Sequence, residues 1–189
     1  MKSKLKIRSI KNFSSGFTLV EMLVVTAIMV TITTISVIQF RAGENQRRVH
    51  LAADTITNSI RTAQNLALSG KKTANADPNC RIPRSYYLRI DYSGTYRLFA
   101  ENNCGGTDTI ETYTLPPRTR IQPTGLKIND VSATGYLTVA FYPPFGALKG
   151  SRDVGVLSSF TSETITVQPS DGSFSRTVTV DGVSGKIGE

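Results

Sequence analysis

The sequence has no tryptophan, a single histidine and only two cysteines. His50, beside Arg47 and Arg48 on a helical stretch, has no second histidine with which to build a metal cluster or a catalytic relay, and its expected place is a helix surface. Cys80 and Cys104 show neither Cys-x-x-Cys spacing nor a neighbouring histidine, which removes the usual zinc frameworks. There is no Gly-x-Ser-x-Gly elbow, no phosphate loop and no His-Glu-x-x-His pair. No metal, cofactor or enzymatic activity is expected from these absences. Acidic residues are also missing from residues 1–16, where five of the 22 basic residues lie: Lys2, Lys4, Lys6, Arg8 and Lys11. The formal charge of +8 and pI near 9.7 therefore belong largely to that segment. Its removal would leave 17 basic residues against 14 acids, a formal +3.

What is present begins with Phe17–Phe40, 24 residues carrying one charge. At helical rise the run extends about 36 Å, enough to cross a bilayer. The basic flank precedes it, which places residues 1–16 in the cytoplasm and the chain after about Arg41 on the far side. A secretory signal would have a shorter apolar stretch followed by a small-residue cleavage site, and the segment Gln39–Gly43 does not provide one. The small residue placed like a processing site is Gly16, before the run. Glu21 is the anomaly: an acid inside an apolar helix costs on the order of 2.5 to 3.5 kcal/mol on insertion scales. A cut after Gly16 would give Phe17 a cationic amine with which Glu21 could pair, on its own helix end or on a neighbouring subunit. The alternative is an unprocessed single-span protein with Glu21 at headgroup depth.

Gly16-Phe17-Thr18-Leu19-Val20-Glu21, after a short basic leader and before an uninterrupted apolar stretch, resembles the prepilin peptidase motif of type IV pilins and pseudopilins. The resemblance implies cleavage after Gly16, methylation of the new N-terminal Phe17, and guidance of filament packing by Glu21. It implies as partners the prepilin peptidase, the inner membrane, and other pilins or pseudopilins in a hetero-oligomeric filament.

Beyond the apolar run the helical pattern becomes one-sided. Val49, Ala52, Ala53, Ile56, Ile60, Ala63 and Ala67 recur at spacings of three and four and should lie on a globular domain. Gly70 followed by Lys71-Lys72 is a helix stop, so one helix is expected from about Thr18 to Ser69. The period then changes from 3.6 to two. Tyr86, Leu88 and Ile90 alternate with polar neighbours, and a three-residue loop with a left-handed Gly94 would pair Ile90 with Tyr96 and Leu88 with Leu98. Further strands are expected at 109–115, 136–142, 163–168, 174–181 and 183–187, with a mobile loop over 146–159. The fold class is α+β: a long N-terminal helix packed on an antiparallel β-sheet or sandwich. The expected division is a cleaved leader (1–16), a transmembrane half-helix (17–40), an amphipathic half-helix (41–70) and an exported β-rich domain (71–189).

Within that domain, Val139–Gly146, Ile165–Val167 and Arg176–Glu189 are similar to the GspH/FimT group of minor pilins, which place a β-rich domain after the helix. That resemblance implies a minor subunit of a type II secretion pseudopilus or a type IV pilus. Some relatives of this kind bind DNA through a terminal glycine-arginine-x-arginine motif. Here Gly185-Lys186-Ile187-Gly188 stands in that place, with one basic residue where the motif has two, and Glu189 follows. The hairpin register sets Arg89 opposite Arg97, an unfavourable pairing of like charges unless an anion or acid lies between them. Arg89, Arg97 and Lys186 are thus the candidate anion or DNA contacts, against the alternative of a solvated face. Cys80 and Cys104 suit a disulfide in an exported domain, worth roughly 3 to 3.5 kcal/mol in the chain-entropy model, against the alternative of two free thiols.

Overall fold

The structure is a computed structural model that describes residues 17–73, 77–144, 146–153 and 155–188. The leader and Gly16 lie outside the described residues. The chain divides into two compact units, 1–41 and 42–189. Helix α1 (Leu19–Ser69) supplies residues to both.

In the second unit the helix buries the face that its spacing predicts. Val49, Ala52, Ala53, Ile56, Ile60, Ala63 and Ala67 are all fully buried. Four alanines on that face let the backbone approach closely, while Ile56 and Ile60 supply the bulk; truncating either to alanine should cost about 2 to 5 kcal/mol. The helix ends at a Schellman turn. Gly70 takes φ +58°, its N–H donates to the Ala67 carbonyl, and the Lys71 N–H donates to Leu66.

The β-domain consists of two five-stranded antiparallel sheets. One contains β1 (Pro83–Asp91), β2 (Thr95–Asn102), β3 (Thr107–Thr114), β6 (Tyr136–Tyr142) and β7 (Ala147–Arg152) in the order β3-β2-β1-β6-β7. The other contains β4 (Thr119–Ile128), β5 (Val131–Ser132), β8 (Ser162–Pro169), β9 (Arg176–Asp181) and β10 (Ile187–Gly188) in the order β10-β9-β8-β4-β5. One core gathers the buried helix face with Tyr86, Leu88, Ile90 and Val139 of the first sheet and Leu126, Ile165, Val167 and Val178 of the second. The β1–β2 hairpin has the expected register, Ile90 with Tyr96 and Leu88 with Leu98, and Gly94 stands at φ +82°.

Two expectations are corrected, and one long strand had no expectation. The segment 146–159 is not wholly loop, since its first part forms β7 on the edge of the first sheet, paired with β6. Strand β4 was not expected because Pro123 and Gly125 interrupt its pattern; a register shift between Ile121 and Leu126 accommodates both residues. Residues 182–185 form a turn, and strand resumes only at Ile187. The Asp181 carboxylate enforces that turn by accepting from the Val183 and Ser184 N–H groups, and Gly185 adopts φ +67°.

Candidate functional site

The N-terminal unit is an apolar helix with a polar start. Thr18 precedes the first turn, and its Oγ1 accepts from the Glu21 N–H at 3.2 Å. That contact makes Thr18 the N-cap and puts Glu21 at the third helical position of a Thr-x-x-Glu capping sequence. The positive end of the helix dipole favours a carboxylate there. Phe17 stands just outside the helix and is 69% exposed. The Glu21 side chain makes no hydrogen bond or ion pair among the described residues.

The remaining hydroxyls of the segment are satisfied within the helix. Thr26 and Thr31 donate to carbonyls three residues back, and Thr33, Thr34 and Ser36 to carbonyls four residues back, at 2.7 to 3.0 Å. Such back-bonding lets polar side chains sit in an apolar medium without an outside partner. The helix is long and apolar enough to cross a membrane by length and composition, with a mean hydropathy of 2.1 over its most apolar stretch. Among the described residues, the carboxylate of Glu21 is the charge in this stretch that a partner must answer.

Residues 11–37 match the model of the prokaryotic N-terminal methylation motif. The motif marks the type IV pilin and pseudopilin family. Family members are structural subunits processed by a prepilin peptidase, and an apolar N-terminal helix fits membrane anchoring of this pilin-like chain. No curated protein and no solved structure matches the chain. The helix-and-sheet architecture is consistent with the pilin fold.

The remaining predicted site residues of this pilin-like chain are dispersed over the β-domain. A disulfide joins Cys80, in the 3-10 turn Pro78–Cys80, to Cys104, in the loop between β2 and β3. Arg89 and Arg97 are partners in the β1–β2 ladder, and Lys186 precedes β10 in the other sheet. The Arg89 guanidinium lies 4.4 Å from the centre of the Tyr136 ring, with Phe99 and Tyr87 at 5.8 and 6.0 Å. Arg97 is exposed.

Sequence reasoning missed Glu163. It belongs to the inward series of β8, with Ile165 and Val167, and is fully buried. Neither carboxylate oxygen has a hydrogen-bond partner, and burial holds the carboxyl well above the usual carboxylate range. The signal was available in the alternation, since an acid occupies the phase of two β-branched apolar residues.

Proposed function

We propose that this chain is a minor pilin or pseudopilin of the GspH/FimT kind. In this reading it is cut after Gly16, methylated on Phe17, held in the inner membrane by residues 17–40, and assembled through α1 into a filament of related subunits with its β-domain outside. The carrying observation is Glu21: a carboxylate without a partner among the described residues, at the capped start of a helix whose hydroxyls bond back to their own turns, within the methylation motif. A free amine on Phe17 of a neighbouring subunit is the partner that this carboxylate lacks. Its pairing would fix the axial position of one helix against the next, while the apolar faces supply cohesion.

Intact mass and N-terminal fragmentation of the protein purified from native membranes test the reading. A chain beginning at N-methylated Phe17 is the expected result, and a retained Met1 leader overturns it. Crosslinking in cells then distinguishes the two settings: secretion pseudopilins as neighbours assign the chain to a secretion filament, pilus subunits to a pilus.

A further inference from the structure

On the outer face of the first sheet, away from its packed core, Tyr87, Arg89, Glu101, Tyr136, Thr138 and Ser151 line a cleft of about 220 Å³ that Leu157 borders. Its polar groups have unused hydrogen-bonding capacity. Arg89 makes no hydrogen bond or ion pair with any described residue, and its Nε is buried without an acceptor. The hydroxyl of Thr138, itself 3% exposed, is also buried without a partner. Glu101 accepts from the Ser85 hydroxyl through Oε2 at 2.8 Å, which leaves Oε1 to accept from elsewhere. The guanidinium is held by its aromatic neighbours, Tyr136 nearest, so its position does not depend on an anion.

We propose that this cleft binds one neutral polyhydroxylated ring, a hexose unit of a glycan. The charge balance decides against an anion: Arg89 and Glu101 line the same cleft, and a bound carboxylate or phosphate would face Glu101 as well as Arg89. A sugar hydroxyl both donates and accepts, so one ring can serve a carboxylate and a guanidinium together. Tyrosine side chains offer apolar surface to the C–H groups of such a ring. The volume lies below the drug-sized range that begins at about 300 Å³, which limits the site to one ring. This reading is independent of filament assembly and stands or falls separately.

Ligand-observed saturation-transfer NMR on the full-length protein tests it, in a zwitterionic detergent because glycoside detergents would compete. The probes are the methyl glycosides of glucose, galactose and mannose, with sodium glucuronate and inorganic phosphate as anionic controls. At least one methyl hexoside should receive saturation on its ring protons. Glu101→Gln, which keeps the side-chain shape, and Arg89→Met should each weaken it by roughly tenfold or more, while Arg120→Met, exposed on β4 of the other sheet, leaves it unchanged and circular dichroism reports an intact fold. No transfer to any methyl hexoside overturns the proposal. So does binding that Glu101→Gln leaves unaltered, or binding confined to glucuronate or phosphate.

Discussion

Glu163 lies against Gly150 inside the β-domain, where a Cβ on Gly150 would come within 3.1 Å of the Glu163 Oε2 and 2.8 Å of the Phe160 ring. The missing side chain on β7 is what makes room for a buried acid on β8. In the ladder, Glu163 stands between Ile128 of β4 and Val180 of β9, so its own strand neighbours offer no charge. Burial without a compensating charge therefore raises its folded pKa well above the value it has in the unfolded chain.

Stability should accordingly fall as pH rises. The folded pKa of Glu163 is raised, so the folded chain keeps a proton that the unfolded chain releases above about 4.3. Each unit of displacement corresponds to about 1.4 kcal/mol lost by the time pH exceeds the folded value. Glu163→Gln should melt several degrees above wild type at neutral pH, and the gap should close near pH 4. Thermal melts followed by circular dichroism across that range check it; a gap that does not change with pH would sink the assignment.

The bridge between Cys80 and Cys104 spans a sequence separation of 24. In the chain-entropy model a loop of that size stabilises by about 3.5 kcal/mol, which for a domain of this size corresponds to a melting shift of roughly 10 °C. The double variant Cys80→Ser, Cys104→Ser should show that loss. Alkylation with and without reductant should find two thiols only after reduction.

Asp153, at φ +54°, clamps the chain before β6: its carboxylate accepts from the backbone N–H groups of Thr134, Gly135 and Tyr136. Those bonds hold its carboxyl below the usual range. The stabilisation is present above the unfolded value, about 3.9, and is lost as pH falls through the lower folded one. Asp153→Ala should lower the melting temperature by a few degrees at pH 7, with the difference shrinking in acid. Asp153→Asn, which retains one acceptor oxygen, should lose less.

Changing Glu21 to Ala should leave the chain in the membrane fraction, and even favour insertion, because a costly charge is removed. Incorporation into filaments should drop. Crosslinking yield to neighbouring subunits measures the effect, and wild-type yield from the variant would separate Glu21 from assembly.

Helix and hairpin were readable because their signals are local. The seven apolar positions from Val49 to Ala67 keep one period throughout, and the register from Ile90 to Tyr96 follows from a single left-handed glycine. Strand β4 was obscured because Pro123 and Gly125 normally break strands, and only a cross-strand partner, β8, reveals that a bulge absorbs them. Strand β7 was obscured for a related reason: its segment Ala147–Arg152 is poor in β-branched residues, and pairing with β6 specifies it. The motif at the N-terminus was legible in residue types alone. The Arg89 cleft was not, since β1, β2, β6 and the stretch after β7 must come together before Arg89, Glu101, Tyr136 and Leu157 share one surface.

The five hydroxyls bonded back onto α1 have a consequence for how the helix travels. A segment that carries its own hydrogen bonds keeps the same set in hydrocarbon and among neighbouring helices, so moving from lipid into a protein bundle requires no exchange of polar partners along Thr26–Ser36. The polar part of the free-energy difference between the two surroundings then concentrates at one end, on the carboxylate of Glu21. In the proposed assembly, transfer would become a sliding motion with a single latch, the helix moving axially until Glu21 meets the amine of a neighbouring Phe17.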